Sequence, residues 1–376
     1  MLALTHAFSR RNAGDGLLVD LSIALLDEAG VRGPHRLLCL DPGSFVDLAS
    51  RHDVRLVPGE PRARPSFALV GASVELLRST AAALPLTSRG GLVDDLLRTV
   101  DGIVAVGGGY LVADSVVRSG GVALNHLPQI LAAGRRDVPS VFLPQSIGPL
   151  LGPVGLATRQ ALSRIDVVYA RDDVTFRELQ GVTDVRRCPD LAVLQLAHRL
   201  SSISRPQGGS AGDIIVVPRE LPNAPGYHQR LLSLGRALPS PRWAVQADVD
   251  GPRSDRRFLG VLGVTDAGDL GHLTATGTPG VVVSVRLHGA IASLLAGWPA
   301  IHLSYERKGW GAYQDLGLDE WVHDARSFDV DKVAAQAADL AHNPAPMFAR
   351  IESRLPHLLG ARTALVDELR RRFGDR

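Results

Sequence analysis

Short apolar runs alternate with amphipathic stretches along most of this chain, the sequence form of βα units built around a parallel sheet. Leu2 to Phe8 opens the series as a strand. After a polar turn at Ser9 to Gly14, the residues Leu17, Leu18, Leu21, Ala24, Leu25 and Ala29 predict one face of a helix, with Asp15 as its N-cap. Arg36 to Leu40 and Val54 to Val57 read as strands. Helices are predicted over Phe67 to Ala83 and Leu92 to Val100, and the strand Gly102 to Val106 follows, ending on Gly107, Gly108 and Gly109. Leu124 to Arg136 is helical by pattern and Ser140 to Pro144 a strand. Gln145 to Pro149 breaks the pattern at that strand's carboxyl end. Asp166 to Ala170 is a further strand, followed by a helix from Val174 to Leu179 that Gly181 ends.

Between Arg199 and Gly212 the hydrophobic pattern stops, and Ser, Pro, Gln and Gly accumulate as in an interdomain connection. This divides the chain into residues 1–205 and 206–376. Beyond it the alternation restarts, with strands at Ile214 to Val217, Trp243 to Gln246, Val281 to Val285 and Ala300 to Ser304. Helices lie between them, and the tail from Val330 is helical. Two α/β halves therefore follow one another.

Composition changes this picture little. The chain has 376 residues, 45% of them hydrophobic, and its 41 Lys plus Arg nearly balance 39 Asp plus Glu. That balance gives no electrostatic reason to expect a nucleic-acid partner. Cys39 and Cys188, the only cysteines, lack the spacing of a disulfide framework or a zinc site. Met1 to Arg11 does not read as a secretory signal, and the apolar stretch Gly102 to Ala113 is too short for a spanning helix. A cytoplasmic protein is expected, at most peripheral at a membrane.

In open α/β sheets ligands bind beyond the carboxyl ends of the strands. Asn12, Gly14 and Asp15 follow the first strand, and the triple glycine follows the strand at 102–106. Gln145, Ser146 and Gly148 follow the next, and Arg171 and Asp172 the one after. Arg286, His288, Tyr305, Glu306 and Lys308 follow two strands of the second half. Gly107 to Gly109 fits neither a Walker loop nor a GxGxxG fingerprint, so it is either a tight turn or backbone brought close to a ligand. Asn12 to Asp15 serves equally as a local turn and cap. Ser284-Val285-Arg286-Leu287-His288-Gly289 is the most informative stretch: it sets an arginine and a histidine where a buried strand meets a helix. Arg binds carboxylate or phosphate bidentately, and His moves a proton near neutral pH. The alternatives are an ion-paired arginine, for Arg171 as for Arg286, a capping histidine, and for Lys308 a solvated surface lysine.

Taken in order, the pieces Asn12-Ala13-Gly14-Asp15, Val106 to Gly109, Leu143 to Pro149, Ala170-Arg171-Asp172, Cys188-Pro189-Asp190, Ser284 to His288 and Tyr305 to Gly309 resemble the polysaccharide pyruvyltransferase family. The resemblance thins between Pro206 and Gly280. It implies an α/β fold of glycosyltransferase-B type, two Rossmann-like domains facing a cleft. It also implies a reaction in which phosphoenolpyruvate gives its enolpyruvyl carbons to sugar hydroxyls of a polysaccharide or lipid-linked precursor, forming a pyruvate ketal and phosphate. No cofactor or metal is implied. Carried over to these positions, Arg286 and Arg171 meet the donor's anionic groups, His288 donates the proton, or binds phosphate if another group is the acid, and Lys308 is a lesser phosphate ligand. Gly107, Gly108, Gly109, Gln145, Ser146 and Gly148 shape the cleft floor, and Asn12 and Asp15 order the first loop. The competing readings are a nucleotide-sugar glycosyltransferase of the same architecture and a non-catalytic carbohydrate-binding protein.

Overall fold

The computed structural model describes residues 1–57, 91–204, 212–247 and 254–374. The helix expected over Phe67 to Ala83 and part of the connection at 199–212 lie outside them. The chain forms two compact units. The first comprises residues 1–10, 18–191 and 363–376, and the second residues 11–17 and 192–362. The chain thus passes to the second unit at Leu191/Ala192, visits it earlier through the loop after the first strand, and returns at Thr363.

The described strands of the first unit are β1 (Leu2–Ala7), β2 (Arg36–Cys39), β3 (Asp53–Leu56), β4 (Gly102–Ala105), β5 (Gly108–Ala113), β6 (Ser140–Leu150), β7 (Val167–Ala170) and β8 (Val185–Arg187). They pair in parallel in the order β3-β2-β1-β4-β6-β7-β8, with β5 added to the distal part of β6. The central strands β1, β4 and β7 are buried along their whole length, because helices cover both faces of such a sheet. This is why they read as unbroken apolar runs.

Two expectations change here. Gln145 to Pro149 does not end its strand: β6 continues to Leu150, with Gln145 in register with Gly108 of β5 and Ala170 of β7. The proline and glycine content disguises a strand that has neighbours on both sides. The first helix runs Ala13–Glu28, so Asp15 lies in its first turn. Asn12 caps instead. Its Oδ1 accepts from the Gly14 amide at 3.3 Å, and its Nδ2 donates to Asp15 Oδ2 at 2.8 Å, which ties the cap to the first turn.

The second unit holds β9 (Ile214–Val217), β10 (Arg242–Val245), β11 (Ala267–Asp269), β12 (Val281–Ser284), β13 (Ala300–Ser304) and β14 (Val322–Asp324). All described pairs are parallel, in the order β11-β10-β9-β12-β13-β14. This is the doubly wound order, and its direction reverses between β9 and β12, where such sheets bind ligands. The corresponding reversal in the first sheet falls between β1 and β4. β11 and β14 are three-residue edge strands with no apolar run to announce them.

The last helix, Ala345–Phe373, belongs to both units by its two ends. Its final turns pack on the first sheet: a Cβ on Gly102 would meet the Phe373 ring at 2.5 Å, and Glu368 pairs with Arg186, Arg371 and Arg372. No described helix is long and apolar enough to cross a membrane.

Candidate functional site

At the carboxyl edge of the second sheet, two neighbouring strands end in the same local construction. Ser284 closes β12, and its Oγ accepts from the Arg286 amide at 3.1 Å while donating to the Arg286 carbonyl at 2.8 Å. Ser304 closes β13 and donates to the Glu306 carbonyl at 2.7 Å. Helices Leu287–Leu295 and Arg307–Asp315 begin at once, and neither N-cap residue, Arg286 or Glu306, caps with its side chain. Both turns stand at the amino end of a helix, the end that favours anions. His288 and Lys308 occupy the same place in the two turns, four residues after the serine, and both are half-buried. Gly289 and Gly309 follow. A Cβ on Gly309 would lie 2.2 Å from Ser304 Oγ, and one on Gly289 2.9 Å from Ser284 Oγ, so the serine fold-back needs glycine there.

Arg286 is buried. Its Nε lies 2.9 Å from Asp255 Oδ1 and 2.8 Å from Oδ2, and its Nη2 also donates to Oδ1. Asp255 accepts the Gln246 and Ala247 amides as well, at 3.1 and 2.8 Å. The pair thus has charge balance and a filled set of hydrogen bonds, the conditions under which burial of an ion pair is tolerated. Asn12 forms an antiparallel bridge with Ala247, and a Cβ on Gly14 would meet His288 Nδ1 at 2.5 Å. The Asn12–Asp15 loop therefore lies against the imidazole, and only glycine at position 14 lets it approach so closely.

Beside Lys308, whose Nζ is 2.8 Å from Glu306 Oε2, the Tyr305 ring collects cations. The Arg219 guanidinium stacks 4.6 Å from its centroid and donates to its hydroxyl, Lys308 Nζ lies 6.0 Å from the centroid, and Arg326 donates to the Tyr305 carbonyl at 2.9 Å. Arg219, at the β9 side of the strand reversal, follows an apolar strand as the others do, but the sequence gives it no site role.

In the first unit, Arg171 is 3% exposed and paired with Asp190, itself 1% exposed. Its Nε donates to Ser146 Oγ at 2.9 Å. Ser146 donates to Asp172 Oδ2 at 2.6 Å, and Asp172 Oδ1 accepts the Thr175 amide and caps helix Asp173–Leu179. The sequence offered Arg171 and Arg286 to a ligand's anionic groups; the structure gives each a buried aspartate. Neither Asp172 nor Asp173 is the main partner of Arg171.

Two residues of the triple glycine are also accounted for by packing. A Cβ on Gly107 would come within 2.9 Å of the Pro144 carbonyl, and one on Gly108 within 2.2 Å of the Tyr110 ring. Gly109 is exposed, and none of the three adopts a positive φ. Tyr110 folds back over the loop, donates to the Val106 carbonyl at 2.7 Å and stacks on His126 and His6 with centroids 4.5 and 5.3 Å apart. His6 Nδ1 and His126 Nδ1 are 3.2 Å apart. Burial, reinforced for His6 by the neighbouring His126, holds His6 well below its ordinary pKa, and burial lowers His126 to about 3. This neutral cluster had no signal in sequence, because His6 sits inside an apolar run. Gln145 is buried with no hydrogen-bond partner for either amide atom among the described residues, and Gly148, at φ 86°, lies against Glu178.

The residues expected to act together thus divide. Asn12, Asp15, Arg286, His288 and Lys308 share the second unit, whereas Gly107 to Gly109, Gln145, Ser146, Gly148 and Arg171 belong to the first. No group of three or more His, Cys, Asp or Glu side chains suited to a metal occurs among the described residues.

Comparison with known proteins bears on these observations. The family model for polysaccharide pyruvyl transferase matches residues 12–248, more than half of the chain. The match ends before Ser284, so the turns carrying His288 and Lys308 lie beyond it. A search of curated proteins found no match. Among solved structures, UDP-GlcNAc 2-epimerase from Neisseria meningitidis bound to UDP-GlcNAc is 11% identical over 98% of this chain and 99% of its own, with a TM-score of 0.53. Arabidopsis thaliana UGT89C1 is 14% identical over 99% of this chain and 98% of its own, with a TM-score of 0.54. The glycotransferase of kitacinnamycin gives 14%, 99%, 98% and 0.51 for the same quantities. At such identities the likeness is one of fold: two Rossmann-like domains of glycosyltransferase-B type.

Proposed function

Because the chain belongs to the polysaccharide pyruvyl transferase family, we propose that it transfers the enolpyruvyl group of phosphoenolpyruvate to two hydroxyls of a sugar, in a polysaccharide or its precursor. In that reaction C3 of the donor gains a proton and C2 becomes oxocarbenium-like. The C2–O bond to phosphate breaks, and two sugar oxygens bond to C2. Of the two protons that the sugar gives up, one balances that gained by C3 and the other leaves with phosphate. Such chemistry needs cationic groups for a doubly anionic donor and one acid for the vinyl carbon.

The observation that carries the reading is the repeated turn, with His288 and Lys308 in equivalent places at the exits of neighbouring parallel strands. Lys308 and the positive amino ends of these two helices hold the donor's anionic groups. His288 delivers the proton to C3, and the Asn12–Asp15 loop keeps its ring in place. Arg286, anchored by Asp255, contributes positive charge behind the imidazole. Arg171 enters the proposal as the anchor of the Ser146–Asp172 turn and not as a donor ligand.

The test is substitution. His288→Ala abolishes phosphate release from phosphoenolpyruvate while the unfolding free energy falls by no more than about 1 kcal/mol, the typical cost of a single substitution. Near-normal turnover in that variant removes His288 as the acid. Lys308→Ala raises KM for phosphoenolpyruvate by about tenfold or more, the loss expected for one charged hydrogen bond.

A further inference from the structure

The turns bearing His288 and Lys308 follow neighbouring paired strands, and one side chain lies between them. His302 is in β13, directly in register with Ser284 of β12, and is 1% exposed. Its Nδ1 lies 2.9 Å from the Ser284 carbonyl oxygen. A carbonyl only accepts, so Nδ1 carries the hydrogen and, in the neutral ring, Nε2 carries the lone pair. That second nitrogen is pressed against the first turn of helix Arg307–Asp315: a Cβ on Gly309 would lie 2.2 Å from it. The ring is tilted over Tyr313 with centroids 5.3 Å apart, and Tyr313 is tied to the Ala300 carbonyl at 2.8 Å, so the imidazole cannot swing away. Burial lowers His302 to about 4, and the charges of Lys308 and His288 act in the same direction, opposed by the bond to Ser284; the ring is neutral at physiological pH.

We propose that His302 is a positioning residue of the donor site, one that couples the turn bearing His288 to the turn bearing Lys308 so that both engage a single dianionic ligand. This rests on the donor reading above. One edge of the ring fixes the Ser284 carbonyl, and Ser284 Oγ in turn fixes the backbone of Arg286, two residues before His288. The other edge sets how deeply the Lys308 turn sits. A residue that only filled space would be replaced by any side chain of similar volume. A positioning residue needs the Nδ1–H donor.

Three proteins separate these cases: the parent, His302→Leu, which keeps bulk without the donor, and His302→Asn, whose amide N–H can reach the Ser284 carbonyl. Thermal unfolding establishes that each is folded. Binding of inorganic phosphate and of phosphoenolpyruvate is measured by calorimetry, turnover by phosphate release, and the His302 tautomer in the parent by ¹⁵N imidazole NMR. The expected result is an Nδ1–H tautomer, a rise in KM and Kd of about tenfold or more in His302→Leu with a smaller change in kcat, and recovery of most of that loss in His302→Asn. A folded His302→Leu variant with unchanged KM, an Nε2–H tautomer, or leucine and asparagine variants that behave alike overturns the inference. A parent that binds phosphate and yet never consumes phosphoenolpyruvate overturns the pyruvyl-transfer reading instead, and the phosphate affinities of the variants then decide the role of His302. A parent that binds neither anion overturns both.

Discussion

Arg171 and Arg286 show what an arginine after an apolar strand does and does not reveal. Their placement at strand exits was legible, because the apolar runs Val167–Ala170 and Val281–Val283 mark buried strands and the arginine that follows each within three residues must sit at the edge. Their partners were not legible: Asp190 lies 19 residues from Arg171, and Asp255 31 residues from Arg286, so the pairing exists only in the folded chain. Removing one member leaves a buried charge unpaired. Asp255→Ala therefore destabilises by about 3–5 kcal/mol in denaturant unfolding. A cost under about 1 kcal/mol would show that solvent reaches the guanidinium. His302, within Ala300–Ser304, was hidden for the converse reason, since a histidine inside an apolar run carries no mark of its hydrogen bonds.

At the scale of elements, the central strands could be read because both of their faces are buried, while β11 and β14 could not, because three residues at an edge make no pattern. The distal half of β6 was concealed by Pro144, Gly148 and Pro149. The glycine loop teaches a similar lesson. Its composition is compatible with ligand approach, but Gly108 is needed because Tyr110 lies on it while also stacking on His6 and His126. Gly108→Ala should cost about 1–3 kcal/mol through overpacking, and Tyr110→Ala in the same chain should remove most of that cost. Equal costs in the presence and absence of the ring would contradict this account of the loop.

For the whole molecule, the two-sheet architecture was readable from alternation, whereas the return of residues 363–376 to the first unit was not, because it depends on tertiary partners such as Glu368 with Arg186. Burial raises the Glu368 pKa, but hydrogen bonds from Arg371 and Arg372 and the charge of Arg186 outweigh it and bring the group to about 2. Its contribution to stability is present above the ordinary carboxylate pKa and is lost as pH falls toward 2. The buried histidines act earlier. Burial first, joined by other charges, places His35 and His302 at about 4, and burial alone places His126 at about 3. These rings are neutral in the fold and take up protons once unfolded at any pH below about 6.5. Stability therefore declines as pH falls from about 6.5 toward 4. The urea midpoint at pH 5 should lie below that at pH 7, and His126→Gln should flatten the difference. Identical midpoints in the parent would contradict the burial of neutral rings.

The most direct test of the account is to incubate the purified protein with phosphoenolpyruvate and a panel of lipid-linked and free sugars, following inorganic phosphate and the mass of the sugar product. The account predicts phosphate release that depends on a sugar acceptor, a pyruvyl ketal on that sugar, and loss of both in His288→Ala. Intact phosphoenolpyruvate alongside turnover of a nucleotide sugar, or a His288→Ala variant that forms the ketal at the parent's rate, would contradict it.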